Sequence, residues 1–312
     1  METSDTSERW VIVLAGGDGV RLRSMTTSAS GVTIPKQYCS FGSEQTLLDR
    51  ALARARAIAP PSRVVTLVAR QHRRHWQAAR TGAASEHLIV QPRNRGTAPG
   101  LLLALLHVAR RAPNATVAVL PSDHFVRDEA ALQRALDRAL DDAARRRSKV
   151  VLLGVQPSSA CDDYGYLVPA DGVTDDLPGV ARFVEKPRVE EARALIDQGA
   201  LWSSFVFAGR VDAFLELFAD AQPRLLQAFL EVVGAGVHGA AVDELYERLT
   251  ASDLSRDVLE AAISRLCAAR VPECGWSDLG TPERLRAALP MLRRDREGPP
   301  ARRIAGDAEL LG

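Results

Sequence analysis

Apolar and polar residues along this chain come in blocks rather than alternating one by one. Val11–Leu14, Val64–Val68, Leu88–Val90, Val117–Leu120 and Val150–Leu153 are short apolar runs of strand length. Continuous runs of this kind suit strands buried on both faces. Between them lie longer stretches of helical character: Thr46–Ile58, stopping before Pro60-Pro61, then the polar Arg70–Arg80, Pro99–Arg111 and Glu129–Arg145. Strand–helix alternation predicts an α/β fold, Rossmann-like, with a mostly parallel sheet and helices on both faces. The second half has shorter expected strands at Tyr164–Val168, Val180–Val184 and Leu201–Phe207. Helical stretches follow at Glu190–Gln198, Val211–Ala219, Pro223–Val233, Asp243–Leu249, Val258–Ala268 and Pro282–Leu289.

In open α/β sheets, ligands bind at the carboxyl ends of the strands, and three such ends carry informative residues. The first strand runs into Leu14-Ala15-Gly16-Gly17-Asp18-Gly19-Val20-Arg21. Glycines let backbone N–H groups approach an anion, and an arginine adds a permanent charge with a fork of donors. The loop lacks the Lys-Ser/Thr of a P-loop, and Leu22 stands where a dinucleotide fingerprint needs its third glycine. A ligand-free tight turn is the plain alternative. The second end is Gln91-Pro92-Arg93-Asn94-Arg95-Gly96-Thr97-Ala98-Pro99. It suits a helix cap, and its small polar residues suit contact with a base. The third is Pro121-Ser122-Asp123-His124. A carboxylate at the end of a buried strand is a candidate Mg²⁺ ligand, with a helix cap as the alternative. Trp276-Ser277-Asp278-Leu279-Gly280 offers a second such carboxylate, or a structural turn.

Basic composition sharpens this. Lysine stands only at 36, 149 and 186, so the remaining basic residues are all arginine. Lys36 and Lys186 sit beside prolines in compact motifs, where an ammonium reaches a single phosphate oxygen that a guanidinium fork does not. Arg21 and Lys36 supply charge for a triphosphate, Asp123 and Asp278 hold Mg²⁺, and Lys186 takes a second anion. This set suits phosphoryl or nucleotidyl transfer, which needs positioning and charge neutralisation more than covalent chemistry.

The motifs resemble those of the sugar-nucleotide pyrophosphorylases, most closely the mannose-1-phosphate guanylyltransferases. They appear in family order: the Gly loop through Leu22, Pro35-Lys36-Gln37-Tyr38, Arg95–Pro99, Pro121–His124, Tyr164-Gly165-Tyr166, Phe183-Val184-Glu185-Lys186-Pro187 and Gly275–Gly280. The resemblance implies that Leu14–Gly17, Gly19 and Arg21 hold the nucleoside triphosphate. Lys36 stabilises charge at the α-phosphate, and Gly96, Thr97, Ala98 and Ser122 lie by the nucleotide. Gly165, Glu185, Lys186 and Ser203 would meet the sugar phosphate, and Asp123 and Asp278 would bind Mg²⁺. It implies GTP and mannose 1-phosphate as substrates. One domain is expected over 10–290, with a nucleotide half (10–155) and a sugar-phosphate half (156–290), flanked by a disordered 1–9 and a fraying tail, 291–312.

The chain departs from the family pattern in several places. Val20 replaces a threonine and Gly96 an asparagine. Ser203 replaces an asparagine, Phe205 a glycine, and Asp162-Asp163 replaces Thr-Gly. Another hexose 1-phosphate or triphosphate, or a non-catalytic sugar-nucleotide-binding regulator, are the competing readings. A glycosyltransferase would want Asp-x-Asp where Ser122-Asp123-His124 stands.

Other features narrow the field. The net charge of +1 gives no case for nucleic-acid or membrane attraction, and a cytoplasmic protein is expected. The cysteines at 39, 161, 267 and 274 form no metal or disulfide pattern. His72 and His75 are read as a solvated helix face rather than a metal pair. Oligomeric state is left open, a homodimer among the options.

Overall fold

The computed structural model describes residues 8–28, 31–78, 87–170, 177–234 and 236–294. Most of the expected disordered N-terminus and tail, and the end of the helix expected over Arg70–Arg80, lie outside the described residues.

Nine strands form one sheet among the described residues: β1 (Arg9–Ala15), β2 (Val64–Ala69), β3 (Leu88–Gln91), β4 (Thr116–Pro121), β5 (Val150–Val155), β6 (Gly165–Pro169), β7 (Val180–Glu185), β8 (Leu201–Arg210) and β9 (Leu266–Val271). Their order is β3-β2-β1-β4-β8-β5-β9, with β6 and β7 attached beside β8. β3, β2, β1 and β4 run parallel, as do β5 and β9, while β8 is antiparallel to β4 and β5. The helices are α1 (Arg23–Thr26), α2 (Leu47–Arg56), α3 (Arg73–Ala78), α4 (Thr97–Ala109), α5 (Glu129–Arg145), α6 (Val189–Asp197), α7 (Val211–Ala221), α8 (Pro223–Val233), α9 (Ala240–Arg248) and α10 (Pro282–Arg294). Leu102 of α4, Phe214 of α7, Phe229 of α8 and Tyr246 of α9 fill one face of the sheet. Leu52 of α2 with Leu136 and Leu140 of α5 fill the other. Covered on both sides, β2 and β5 are buried at every residue, which explains their unbroken apolar runs.

Pairing positions the cleft. β4 pairs with β8 only from Thr116↔Arg210 to Val119↔Phe207, whereas the first residues of β8 pair with β6 through Leu167↔Leu201 and Tyr166↔Trp202. β4 and β8 therefore diverge at the carboxyl end of β4, where α/β sheets take their ligands. The divergence coincides with a register shift on β5 between Leu152 and Gly154, and with left-handed Phe205 at φ 57°.

Three expectations need correction. The stretch Val258–Ala268 is not one helix. A π-helical turn, Ser255–Leu259, and a 3-10 turn, Ile263–Arg265, lead into β9, which pairs with β5 from Val150↔Leu266 onward. An open parallel edge on β5 outweighs the local helical spacing. Arg9 belongs to β1 rather than a disordered terminus, because its guanidinium bonds Asp137 at 2.8 Å and Asp141 at 2.6 Å on α5. Likewise 291–294 belong to α10, which continues through Pro290, with Leu292 packed in its apolar cluster.

Candidate active site

The glycine loop leaves β1 and is fastened from below. Gln37 donates from Nε2 to the carbonyls of Ala15 at 3.0 Å and Gly17 at 2.8 Å. Gly16 and Gly17 do not have positive φ, and a Cβ at Gly17 would meet nothing within 4 Å. Internal packing therefore does not require these glycines. The Gly17 position faces open space, whereas a Cβ on Gly16 would make only ordinary contact with Gln91 Oε1 at 3.5 Å, which fits an anion cradle better than a tight turn. Gly19 differs: it sits at φ 60° with a Cβ position 3.1 Å from the Lys36 backbone nitrogen. Leu14 supports the next strand end, since its carbonyl accepts from Ser122 N at 3.1 Å.

The loop's Asp18 is held by three donors, Gln71 Nε2 at 3.0 Å, Asn94 Nδ2 at 2.8 Å and His72 Nε2 at 3.0 Å. Burial works to raise its pKa, but these donors and the His72 charge outweigh it and hold the carboxyl below its ordinary value. The histidines are thus not a solvated face: His72 is buried against Asp18, and His75 stacks on Tyr38 at 5.5 Å.

Four of the chemistry-bearing residues predicted from sequence converge. Phe125 and Ser277 exchange backbone hydrogen bonds of 2.9 Å, which brings Asp123 beside Asp278 although they are far apart in sequence. Lys36, only 5% exposed, lies between them: its Nζ is 3.0 Å from Asp123 Oδ2 and donates to the Asp278 carbonyl at 2.5 Å. Burial would raise the Asp123 pKa, yet Lys36 and His124 hold it below the ordinary carboxyl value. Asp123 makes this ion pair rather than capping a helix. Burial drives His124 down to about 4, leaving it neutral at pH 7, and its Nδ1 accepts from Trp276 Nε1 at 3.2 Å.

Asp278 uses its two oxygens differently. Oδ1 accepts from Tyr164 Oη at 3.1 Å, Gly280 N at 2.9 Å and Arg284 Nη1 at 2.9 Å. Oδ2 has Arg21 Nη2 at 3.6 Å. Among the described residues, no group of three acidic, histidine or cysteine side chains forms a metal cluster. Two carboxylates beside an open anion cradle still fit Mg²⁺, which commonly binds through one or two carboxylates, waters and substrate phosphates.

The sugar-side candidates form an adjoining group. Gly165 pairs with Glu185 in the β6–β7 register, and a Cβ on Gly165 would lie 2.7 Å from Glu185 Oε2. Glu185 Oε1 is 3.2 Å from Lys186 Nζ, and the Lys186 backbone nitrogen bonds the Tyr164 carbonyl at 3.1 Å. Burial raises the Glu185 pKa, against the pull of Lys186. Ser203 Oγ and Trp202 Nε1 are buried without hydrogen-bond partners. Buried polar atoms of this kind are unusual in a folded chain.

The base-side segment is placed unexpectedly. Gly96 takes the N-cap position of α4, as the cap reading allowed, but Thr97 opens the helix and its Oγ1 accepts from Leu254 N at 2.8 Å. Ala98 N donates to the Ser252 carbonyl at 3.2 Å, and Ser252 N to the Arg95 carbonyl at 2.9 Å. Gly96, at φ 87°, is packed so closely that a Cβ would overlap Ser252 O. The glycine that departs from the family pattern thus admits a strap, Ser252–Leu254, onto this loop.

The nucleotidyl transferase family model matches residues 10–294. The chain belongs to that family. Its sequence is similar to the xanthan biosynthesis protein XanB of Xanthomonas campestris, 31% identical over 276 residues, covering 86% of this chain and 57% of that one. It is similar also to the mannose-1-phosphate guanylyltransferase of Escherichia coli, 30% identical, covering 88% of this chain and 58% of that one. The chain therefore spans a little over half the length of these relatives. Among solved structures, a Thermus thermophilus protein described as a mannose-1-phosphate geranyltransferase superposes with a TM-score of 0.75 at 29% identity, covering 88% of this chain and 76% of that one. A glucose-1-phosphate thymidylyltransferase-like structure from Bacillus anthracis, at 14% identity and a TM-score of 0.60, shares the nucleotidyltransferase fold.

Sequence motifs pointed to Arg21, Lys36, Asp123 and Asp278, but not to Asp163 or Arg284 as site residues. Asp163 accepts from Arg21 Nη1 at 3.2 Å and from Arg284. Arg284 also lies over the Tyr164 ring, 4.6 Å from its centroid. The one sequence signal was the Asp162-Asp163 pair standing where family members carry Thr-Gly.

Proposed function

We propose that this chain is a sugar-1-phosphate nucleotidyltransferase, forming GDP-mannose and pyrophosphate from GTP and mannose 1-phosphate. The observation that carries this reading is Lys36, lodged between Asp123 and the Asp278 carbonyl directly under the glycine loop. A buried ammonium there supplies fixed charge where negative charge builds on the α-phosphate. An oxygen of the sugar phosphate attacks the α-phosphorus, the bond from that phosphorus to the bridging oxygen of the β-phosphate breaks, and pyrophosphate leaves. A sugar phosphate is already an anionic nucleophile, so no general base is needed.

In this reading Gly16, Gly17, Gly19 and Arg21 hold the triphosphate, Glu185, Gly165 and Ser203 meet the sugar, and Lys186 meets its phosphate. The halves 10–155 and 156–290 divide nucleotide from sugar phosphate across the one sheet. Mg²⁺ held by Asp123 and Asp278 would neutralise charge on the phosphates. The guanylyl and mannosyl assignment rests on the Pro-Lys-Gln and Gly-Trp-Ser-Asp motifs and on relatives that carry that name. Ser203 and the left-handed Phe205 favour a competing reading, in which another hexose 1-phosphate or triphosphate is preferred.

Pyrophosphate release across a panel of triphosphates and hexose 1-phosphates tests this, with Asp123→Asn alongside. Turnover fastest with GTP and mannose 1-phosphate, and lost in the variant, supports the proposal. Faster turnover of another pair by orders of magnitude overturns the substrate assignment alone. Sugar-nucleotide binding without turnover of any pair would favour a regulatory relative.

A further inference from the structure

Two arginines crowd one metal-binding candidate, and an unassigned aspartate pairs with both of them. Arg284 gives one guanidinium nitrogen to Asp278 Oδ1 at 2.9 Å and another to Asp163. Arg21 gives Nη1 to Asp163 at 3.2 Å, while its Nη2 stays 3.6 Å from Asp278 Oδ2. Asp163 is thus the shared counter-anion of both cations, and it stands where the family pattern has a glycine.

We infer that Asp163 is a positioning residue that reserves Asp278 Oδ2 for the metal ion. Oδ1 is already occupied by Tyr164, Gly280 N and Arg284, so Oδ2 is the oxygen left to a cation. Among the described residues, Asp163 and Asp278 are the carboxylates within 4 Å of Arg21, so without Asp163 the Asp278 Oδ2 is its remaining partner, and closing 3.6 Å to hydrogen-bond distance takes only a small rotation of a side chain that is 53% exposed. An arginine–carboxylate pair there would compete directly with metal coordination. Arg284 would meanwhile lose its compensating charge beside the site. With Asp163 present, its charge offsets part of that of the two arginines, so Arg284 orients Asp278 with less repulsion of a cation. The arrangement matches the way outer-shell partners set the geometry and affinity of metal ligands.

This inference rests on the Mg²⁺ reading of Asp123 and Asp278, and the test separates the two. Mn²⁺ serves as the probe, titrated into the full chain without substrates and followed by the loss of the free-ion electron paramagnetic resonance signal. Asp163→Asn is expected to weaken Mn²⁺ binding about ten-fold, within the range typical of lost outer-shell partners. In Asp163→Asn/Arg21→Gln the competing cation is removed, and most of that loss is expected to be recovered. A merely structural role for Asp163 would give no such rescue. The activity counterpart is a higher Mg²⁺ requirement for Asp163→Asn, with kcat at saturating Mg²⁺ close to wild type.

Two outcomes overturn the inference while the metal reading stands. In one, Asp163→Asn binds Mn²⁺ as wild type does while Asp278→Asn does not. In the other, the double variant is as weak as the single one. If Asp123→Asn and Asp278→Asn both bind Mn²⁺ like wild type, the metal reading fails and the inference falls with it. Asp163→Glu, which keeps the charge, supplies a second single variant should Asp163→Asn fold poorly: near wild-type affinity agrees with the inference, and a ten-fold loss contradicts it.

Discussion

Replacing Lys36 by methionine keeps the length of the side chain and removes its charge. Lys36 is 5% exposed, and its Nζ contacts Asp123 Oδ2 at 3.0 Å and the carbonyls of Asp278 at 2.5 Å and Leu279 at 3.5 Å. Two effects follow, of different size. A fixed donor at the developing charge contributes about 3–4 kcal/mol, so kcat is expected to fall roughly 10²–10³-fold. Stability should change less. Breaking a fully buried ion pair costs several kcal/mol, but the Asp123 side chain is 34% exposed and water screens part of the loss. The expected cost is about 1 kcal/mol, a shift of about 1–2 °C in Tm for a chain of this size. The pair also has a definite pH signature. Its carboxyl pKa is depressed in the folded state, so its stabilisation is present above the unfolded carboxyl pKa of about 4 and is lost as pH falls below that. Lys36→Met should lack that acid-side loss. Lys36→Arg should not restore activity, because a planar guanidinium does not reproduce the compact ammonium's contacts with Asp123 Oδ2 and the Asp278 carbonyl. Pyrophosphate release at saturating substrates, with thermal melts of the same preparations, measures both effects. A variant within about three-fold of wild-type kcat would refute the placement of Lys36 at the reacting phosphate.

Three further outcomes are expected. Gly96→Ala forces a Cβ into Ser252 O from a backbone at φ 87°. It should destabilise the chain by about 2–3 kcal/mol in denaturant melts, and an unchanged melt would contradict the strap. His107 is 2% exposed and held down to about 3 by burial first and then by Arg111. Arg111 can only donate, so the 3.2 Å contact makes Nδ1 the acceptor, and Nε2 then carries the proton toward His87 at 3.4 Å. Because the folded pKa lies below the unfolded value of about 6.5, stability falls as pH drops from 6.5 toward 3. His107→Gln should flatten that slope in melts across this range. Finally, Ser203→Ala removes a buried hydroxyl that has no partner. Tm should hold or rise while the KM for sugar 1-phosphate rises several-fold, and an unchanged KM would remove Ser203 from the sugar site.

Much of the fold is legible because doubly covered strands such as β2 and β5 are buried at every residue and read as near-continuous apolar runs. Glu129–Arg145 and Pro223–Val233 were readable to the residue, one opened by the Asp128 cap and the other by a proline. Leu266–Val271 was not, since Val258 through Ala268 has helical spacing and only the free edge of β5 makes a strand of its end. Likewise, nothing local says that β8 runs antiparallel between β4 and β5, yet that insertion opens the cleft. Within the site, Arg21, Lys36, Asp123 and Asp278 stood out because each sits in a compact motif. Arg284 lies in an ordinary helix, and its partner Asp163 is 121 residues away, so only the folded chain reveals the pair. Thr97 read as a cap because Gly96 and Pro99 flank it, but its hydroxyl serves Leu254, a contact set by tertiary packing.

The central claim is that a sugar phosphate oxygen attacks the α-phosphorus of a nucleoside triphosphate at Lys36, Asp123 and Asp278. Mannose 1-phosphate carrying ¹⁸O in its phosphate, turned over with unlabelled GTP and Mg²⁺, tests it most directly by mass spectrometry of both products. The account predicts every label in GDP-mannose and none in pyrophosphate, with both products absent in Asp278→Asn. Label appearing in pyrophosphate or free phosphate, or undiminished product from the variant, would contradict it.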